Sequence, residues 1–484
     1  MNKAENNLKE DKNKRNILIG GAWPYANSSL HLGHLAALIS GDFLKRYHEL
    51  LGDTVLYVSG TDCHGTPITE RAKREGTEPK DIAERYHKEF KEVFNKMNFS
   101  YSLYTKTCDE YHKKHVEEMF LKMYENQYIY SKKTEQPYCE HCCKFEADRE
   151  LELICPNCGQ VTKGDQCDCG YVPIEDDLIG ATCRECGNKT IQKENTHLHL
   201  ALSKFQKTIE QYAKEKQENW RIASKNETEK YLKEGLKDRA VTRDLSWGVD
   251  IPIEGFEDKK MYVWIDAVLG YVTATQYLNI NSEKISKSKG NGITILQMVE
   301  DYNVDSLRYY MISHGPENKD VDFTIENYVN VHNSDIVNKF GNFVNRTLKF
   351  KGLDKIPLGN MDEQISKKIN ETYEETSKYI ESLEFKKACN KIVELIEIGN
   401  KYYDERKPWI QKKENIEQFN NTIYTCANVI ANLSNLLEPI MPETSKKLRE
   451  YLKVEEASWK QIQIKEEISL ENIEILFERI DINR

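Results

Sequence analysis

Two short motifs combine histidine, lysine, serine and glycine in patterns that suit phosphate binding. HLGH, residues 31–34, follows an apolar run, and its His31 and His34 stand where a helix would begin. Backbone N–H groups at a helix N-terminus attract anions, and Gly33 allows a ligand to approach the backbone closely. KISKSKG, residues 284–290, brings ammonium groups beside small hydroxyls, which suits a loop that neutralises a triphosphate. Taken alone, HLGH is equally well explained as a helix cap, and KISKSKG as a solvated surface loop. Together, the two motifs predict an ATP site.

A second group of reactive residues is a cluster of cysteines. Nine of the 13 cysteines lie between Cys139 and Cys186, and eight of them form closely spaced pairs: Cys139 and Cys142, Cys155 and Cys158, Cys167 and Cys169, and Cys183 and Cys186. Such spacing is typical of tetrahedral zinc sites, and clustered pairs in a chain without a secretory signal favour metal over disulfides. We expect one or two structural zinc ions, with Cys143 as a surplus cysteine and His141 as a possible substitute ligand. The third pair has one intervening residue instead of two, which could strain its site.

These motifs need secondary structure to position them. NILIGGAW, residues 16–23, predicts a buried strand, residues 34–51 a helix, and TVLYVSG, residues 54–60, a second strand. This order is the opening of a parallel α/β sheet, whose ligands collect at the carboxyl ends of the strands. MYVWIDA, residues 261–267, predicts a further strand. From residue 325 onward the pattern is helical, with apolar residues on single faces: Phe385, Cys389, Ile392, Ile396 and Tyr403, and then Ile423, Ala427, Ile430 and Leu437.

Length and composition limit the class of protein. The chain has 484 residues, enough for about three domains. Its net charge of -10 argues against a protein that coats nucleic acid through a broad basic surface. It has no long apolar run and no apolar segment near its start, so we expect neither a membrane span nor a secretory signal, and we expect a cytoplasmic location.

With these motifs in place, the sequence resembles the class I aminoacyl-tRNA synthetases, and among them the methionyl-tRNA synthetases. The resemblance covers nearly the whole chain, through GAWPYANSSLHLGH, SGTDCHGTPI, VTRDLSWGVDIP, YVWIDAVLGY, KISKSKGN, VNKFGNFVNR and ERKPW. It implies an α/β fold in which a Rossmann-like parallel-sheet catalytic domain is interrupted by a zinc-knuckle insertion and followed by an all-α helical-bundle anticodon-binding domain. It further implies a monomer that joins L-methionine to tRNA(Met) with ATP and Mg2+.

The resemblance also assigns boundaries and roles. It divides the chain into a polar tail (1–15), a first catalytic half (16–126), a connective insertion (127–235) with zinc knuckles at 137–190, a shortened second catalytic half (236–280), a KISKS loop with a stem-contact region (281–325), and the anticodon-binding domain (326–484). Catalytic roles fall on His31, His34, Lys284 and Lys287, which with Gly33 and Ser288 would bind ATP. The methionine pocket would comprise Ala22, Trp23, Tyr25, Asp62, Trp264, Ala267 and Tyr271. Asn342, Arg346 and Trp409 would read the anticodon. In two-zinc relatives, the inner two cysteine pairs share one ion and the outer two share the other.

One stretch departs from the family pattern. Between Tyr271 and Lys284 the chain reads VTATQYLNINSE, where the family has a longer segment. The missing part is at least one strand–helix–strand unit, roughly 30 residues or more. We expect its loss to expose a sheet edge and an apolar surface. Two hypotheses follow: a working methionine–tRNA ligase, or a synthetase-derived paralogue or truncated form that binds tRNA and zinc without activating methionine.

Overall fold

The structure is a computed structural model that describes residues 14–146, 150–164, 167–171, 173–278, 295–317 and 323–481. The predicted ATP-binding residues Lys284, Lys287 and Ser288 lie outside these ranges. Among the residues that the structure describes, no helix is both long and apolar enough to cross a membrane.

The N-terminal part is a three-stranded parallel sheet with helices packed on it. Its strands lie in the order β1, β2, β3, which are Asn16–Gly20, Thr54–Thr61 and Leu103–Lys106. Its helices are α1 (Leu32–Leu50), α2 (Thr66–Glu75), α3 (Pro79–Lys96) and α4 (Glu110–Glu125). The predicted helix and second strand are thus confirmed. The prediction that the first strand is buried is wrong, because β1 lies at the edge of the sheet and alternates between half-buried and exposed residues.

The connective insertion is built on a long antiparallel pair of strands. Strand β4 (Ile129–Cys139) pairs with β9 (Ile191–Leu200) from Ile129 to Tyr138, and the cysteine-rich turns lie beyond that pair. Those turns contain the short strands β5 (Lys144–Phe145), β6 (Leu151–Ile154), β7 (Val161–Lys163) and β8 (Thr182–Cys183). After β9 come α5 (Gln206–Lys216) and α6 (Ile222–Glu234), and then β10 (Arg239–Ala240), β11 (Thr242–Arg243) and β12 (Lys260–Met261).

The strand predicted from MYVWIDA is wrong, because the chain forms helix α7 (Val263–Leu278) from that point. A short apolar run cannot by itself distinguish a strand from a buried helix segment. Here the inner side of α7 carries Asp266 and Thr273, both buried, whereas Trp264 and Val268 on its outer side are exposed. This division recurs with a helical period, and α7 packs with its inner side against β2, β3 and α4.

The rest of the described chain is mostly helical and packs against α1 and α3. Its helices are α8 (Ile295–Asp301), α9 (Val304–His314), α10 (Ile325–Val331), a π-helical segment (His332–Gly341), α11 (Asn342–Leu348), α12 (Glu363–Glu381), α13 (Phe385–Arg406), α14 (Pro408–Glu414), α15 (Ile416–Leu436) and α16 (Pro442–Tyr451). Two short strands, β13 (Lys355–Ile356) and β14 (Ile468–Ser469), pair within it. Both predicted apolar faces, on α13 and α15, are buried, which confirms the helical core.

A buried ion pair joins this helical part to α1. The Arg308 guanidinium lies 2.6 Å from the Asp42 carboxylate, and both side chains are fully buried. Arg308 also donates to the carbonyl oxygens of Pro439 and Ile440 at 3.2 and 2.9 Å. The helix that begins at HLGH is therefore fixed directly to the C-terminal bundle, a contact that sequence reasoning did not predict.

Candidate active site and metal centres

The two histidines of HLGH cap the helix that they precede. The N–H of Gly33 donates to His31 Nδ1 at 3.1 Å, and the N–H of His31 donates to His34 Nδ1 at 3.2 Å. Because each Nδ1 is an acceptor, the proton of each neutral ring is on Nε2. A Cβ on Gly33 would lie 2.9 Å from the His31 ring, so glycine is needed for this arrangement. The cap thus presents two Nε2–H donors at the positive end of α1, which suits a phosphate group.

The environment of His34 keeps it uncharged at neutral pH. Burial, aided by the neighbouring His31 ring, lowers the pKa of His34 to about 4. The two ring centroids are 3.9 Å apart, so two charged imidazoles would repel each other strongly. His34 therefore acts as a hydrogen-bond donor and not as a fixed positive charge.

Several residues of the predicted methionine pocket meet around Trp23. Its indole ring lies edge-on to the Tyr271 ring, with centroids 6.1 Å apart. Gly60 of β2 and Gly270 of α7 allow this ring to sit between the sheet and the helix: a Cβ on Gly270 would lie 2.7 Å from it, and one on Gly60 would overlap it. Aromatic walls of this kind suit an apolar, polarisable ligand.

Asp62 lies beside this aromatic group at the carboxyl end of β2. The backbone of Asp62 donates to the carbonyl of Pro24 and accepts from the N–H of Ala26, both at 2.9 Å, which brings Tyr25 next to it. Its side chain is buried and accepts one backbone hydrogen bond, from His64 at 3.3 Å. Burial, together with the nearby Asp266 carboxylate, raises the pKa of Asp62 well above its ordinary value. A ligand cation that paired with this carboxylate would relieve that cost.

A buried network that sequence reasoning missed fixes α7 to the sheet. The Asp266 carboxylate lies 2.6 Å from His64 Nδ1 and 2.8 Å from His112 Nε2. Burial raises the pKa of Asp266, but the two histidines outweigh it and hold that pKa below its ordinary value. His112 Nδ1 also lies 2.8 Å from the Thr273 hydroxyl. The signal in the sequence was an aspartate inside an apolar run, but its partners are 154 and 202 residues away.

Among the residues that the structure describes, none covers the pocket on the side of α7 that faces away from this network. Trp264, predicted to line it, is 62% exposed, and Val268, one turn later, is 55% exposed. Ala267 is half-buried between them, and Ala22 is exposed. The structure therefore brings Trp23, Tyr25, Asp62 and Tyr271 together, and leaves Trp264 in solvent. This agrees with the apolar surface expected from the shortened second catalytic half.

The chain returns to the first ATP motif after the stretch that carries the second. Ile295 is the first residue described after residue 278, and its N–H donates to the Leu30 carbonyl at 3.3 Å. Ile295 is buried, and Leu30 directly precedes HLGH. The first described residue after KISKSKG therefore lies beside the residue that precedes the helix cap.

Eight cysteines form two compact groups. One contains Cys139, Cys142, Cys183 and Cys186, the other Cys155, Cys158, Cys167 and Cys169, and the sulfur atoms of each group lie within 4.8 Å of one another. Four Sγ–Sγ distances between pairs are 3.4, 3.8, 3.8 and 3.5 Å. A tetrahedral zinc with Zn–S bonds of about 2.3 Å has edges of about 3.8 Å, so both groups fit a zinc ion. The predicted division into inner and outer pairs is confirmed, and His141 belongs to neither group.

The surplus Cys143 has a conformational explanation. Each cysteine pair is followed by a residue with positive φ: Cys143, Gly159, Gly170 and Gly187, at 55°, 73°, 88° and 75°. In the three glycine turns the glycine N–H donates to the carbonyl of the first cysteine, at 2.9 Å from Gly159 and 2.8 Å from Gly170 and Gly187. Cys143 thus occupies the left-handed position that glycine occupies in the other three turns.

The predicted anticodon residues lie close together in the helical part. Arg346 on α11 forms an ion pair with Asp404, and its guanidinium lies 3.9 Å from the centroid of the Tyr403 ring. The Trp409 ring is 6.1 Å from that same tyrosine and is 45% exposed. Asn342 is exposed one turn before Arg346. An exposed indole beside an arginine and an asparagine suits the stacking and reading of an unpaired base.

A parallel sheet whose first helix begins with HLGH, a cysteine-rich insertion and a helical C-terminal part define a class I aminoacyl-tRNA synthetase. The family model of class I tRNA synthetases (M) matches residues 17–279 and 272–348, and the model of the anticodon binding domain of methionyl tRNA ligase matches residues 355–479. The chain belongs to the methionyl-tRNA synthetase family.

Individual relatives support this assignment. Methionine–tRNA ligase 1 of Alkaliphilus oremlandii is 41% identical over 96% of this chain and 97% of its own length, and the Bacillus mycoides methionine–tRNA ligase is 40% identical over 97% of both. A solved structure of Mycobacterium tuberculosis methionyl-tRNA synthetase with methionyl-adenylate has a TM-score of 0.79 at 20% identity, covering 96% of this chain and 100% of the other. At that identity the structural match supports the fold alone.

The same comparisons mark the position of the missing segment. The synthetase model matches in two separate pieces, which overlap over residues 272–279 at the end of α7. The comparison with the Alkaliphilus oremlandii relative extends over 526 positions, more than the 484 residues of this chain. The relative therefore carries residues that this chain lacks, as the stretch between Tyr271 and Lys284 led us to expect.

Proposed function

We propose that this protein activates L-methionine with ATP and transfers it to tRNA(Met). The methionine carboxylate attacks the α-phosphate of ATP in line, pyrophosphate leaves, and a terminal ribose hydroxyl of the tRNA then takes the methionyl group and releases AMP. His31 and His34 donate from Nε2 to phosphate oxygens, while Lys284 and Lys287, with Ser288 and Gly33, hold the triphosphate. A bound Mg2+ would add charge neutralisation. This chemistry depends on positioning and charge neutralisation and needs no protein nucleophile.

The observation that carries the proposal is the return of the chain to HLGH at Ile295. This contact, 3.3 Å from the Ile295 N–H to the Leu30 carbonyl, brings the chain five residues after the second ATP motif to the residue before the first. HLGH and KISKSKG are far apart in sequence, but they can act on one triphosphate if the fold brings both to the same site.

For methionine recognition, we propose that Asp62 pairs with the substrate ammonium group. Among the residues that the structure describes, no cation pairs with this buried carboxylate, and a charge-assisted bond in such a setting is strong. Trp23, Tyr25 and Tyr271 would surround the thioether side chain, with Ala22, Ala267 and Trp264 along the more open side.

For tRNA recognition, we propose that Trp409 stacks on an anticodon base while Asn342 and Arg346 bond to base edges. Arg346 would exchange its Asp404 partner for the base. The two zinc sites would be structural, because four thiolate ligands leave no open coordination position. We retain the domain boundaries given above, a monomeric state and a cytoplasmic location as parts of this proposal.

The second candidate is a protein that binds tRNA and zinc without activating methionine, and the exposure of Trp264 is the observation that favours it. Methionine-dependent ATP–pyrophosphate exchange distinguishes the two. A ligase exchanges label faster than its Lys287→Ala variant, whereas the second candidate does not. Binding of tRNA(Met) that is weakened by Trp409→Ala, by about fivefold to a hundredfold for the loss of one stacked base, is expected under both.

A further inference from the structure

Helix α7 presents a row of apolar side chains to solvent. Trp264, Val268 and Val272 are four residues apart, so they share one side of the helix, and they are 62%, 55% and 41% exposed. Scattered exposed apolar residues are common, but such a row on a single helix side marks a contact surface. The only charged residue of α7, Asp266, is buried on the opposite side.

The edge of the sheet next to this helix is equally unprotected. Strand β1 pairs with β2 on one side, and among the described residues no strand pairs with its other side. Native sheets usually protect such edges with lysine, proline or a bulge. The β1 sequence, NILIG, contains no charge and no proline, and its Leu18 is 55% exposed. We call Leu18, Trp264, Val268 and Val272, with the open edge of β1, the α7–β1 face.

The stretch that follows α7 is too short to cover this face. The family match breaks at residues 272–279, directly at the end of α7. A strand parallel to β1 requires a crossover connection of about a dozen residues, usually helical, before the strand itself. The stretch from 279 to 294 must also contain KISKSKG, so it is too short to supply a crossover, a strand and the second ATP motif.

We propose that a second polypeptide covers the α7–β1 face by adding a strand parallel to β1 and an apolar helix against α7. Such a partner would have alternating apolar residues in its strand and no charge opposite Val268 and Val272. The partner's backbone would satisfy the open hydrogen-bonding edge of β1, as in other cases of strand addition. The inference that a partner binds this face does not depend on the proposed function. The inference that the partner affects methionine activation rests on the proposed function.

A second copy of this chain is a poorer occupant. In a twofold dimer the same surface of each copy forms the interface, so two β1 edges would pair antiparallel and the two α7 helices would be held across the same axis. That arrangement would close the open side of the methionine pocket beside Tyr271. A separate strand and helix can complete that wall without blocking it.

The test uses the full chain and, as a probe, the segment of the Alkaliphilus oremlandii relative that lies opposite the break. The probe is added as a separate polypeptide and its binding is followed by titration and by amide hydrogen exchange. We expect saturable 1:1 binding and slower exchange in β1. Leu18→Lys and Val268→Lys should each weaken binding by about tenfold or more, because a lysine ammonium buried against apolar groups loses its hydration. Ile222→Lys, at a residue that is 72% exposed on α6, is the matched control and should leave binding unchanged.

Three results would overturn the inference: absence of binding, equal weakening by Ile222→Lys, or a dimer of the chain alone that Leu18→Lys dissociates. Pyrophosphate exchange with and without the probe separates this inference from the proposed function. Faster exchange with the probe supports both. Binding of the probe with no exchange in either condition contradicts the proposed function and leaves the surface assignment intact.

Discussion

The cysteine insertion and the catalytic sheet both carry clear sequence motifs, and they differ in how they are completed. In the insertion, each group of four sulfur atoms lies within 4.8 Å and comes from residues fewer than fifty positions apart. In the catalytic sheet, the helix that carries Trp264 faces solvent where a covering segment is missing. A metal centre built from local turns survives changes elsewhere in the chain. A parallel sheet depends on distant segments, so an internal loss exposes it.

The largest effect that we expect is on the insertion, when zinc is removed with a chelator at neutral pH. Structural zinc sites contribute about 10 kcal/mol or more to the folding of small metal domains. Residues 137–190 should then lose protection from hydrogen exchange, while β1–β3 and the helical bundle keep theirs. Metal analysis should give two zinc ions per chain.

Two variants provide the controls for zinc removal. Replacing Cys155 and Cys158 by serine should release one zinc ion, and Cys143→Ser should release none. Unchanged protection of the insertion after complete zinc removal would show that other contacts hold the knuckles together. It would contradict the statement that the insertion, unlike the catalytic sheet, is completed by local metal ligands.

The next largest effect concerns the cap of α1. His34→Ala removes an Nε2–H donor at the expected phosphate site, and loss of one such donor lowers kcat by about 100-fold to 1,000-fold. His34→Gln, which can still donate near the same position, should retain part of the activity. Exchange kinetics should show little change in the KM for methionine. An unaltered kcat in His34→Ala would remove HLGH from the chemistry.

Asp62→Asn should have smaller effects: it should weaken methionine binding and raise the stability of the protein at neutral pH. Loss of a charged hydrogen bond should weaken methionine binding, measured by calorimetry, by about tenfold to a hundredfold. Because folding raises the pKa of Asp62, the folded protein favours the protonated carboxyl. The stability that this carboxyl contributes is therefore present below its ordinary pKa of 3.8 and is lost as pH rises. The variant should therefore melt at a higher temperature than the parent at pH 7, with the difference disappearing near pH 3. A variant that melts lower at pH 7 would contradict this description of the pocket.

The smallest effect returns to the insertion. Cys143 has a φ of 55°, a region that glycine adopts freely and other residues adopt at a cost of about 1 kcal/mol. Cys143→Gly should raise the free energy of unfolding of the zinc-loaded insertion by about that amount, whereas Cys143→Ser should not. If the two variants behave alike, the stabilisation does not come from the backbone conformation.

The parts that sequence could predict were those fixed by local spacing. The HLGH helix, β2, the cysteine groups and the apolar face of α13 follow from spacing or from family motifs, and the structure agrees with them. The helix at Val263–Leu278 could not be distinguished from a strand, because its apolar run satisfies both patterns. The Asp266 network and the Arg308–Asp42 ion pair join residues more than 150 positions apart, so no local sequence pattern predicts them.

The central claim is that this chain activates methionine although its α7–β1 face lacks the strand and helix that would cover it. Methionine-dependent ATP–pyrophosphate exchange by the purified chain, beside its Lys287→Ala and Asp62→Asn variants, tests it most directly. We predict exchange above both variants, increased when the missing segment is supplied as a separate polypeptide. Exchange equal to that of Lys287→Ala, with and without that segment, would contradict the claim.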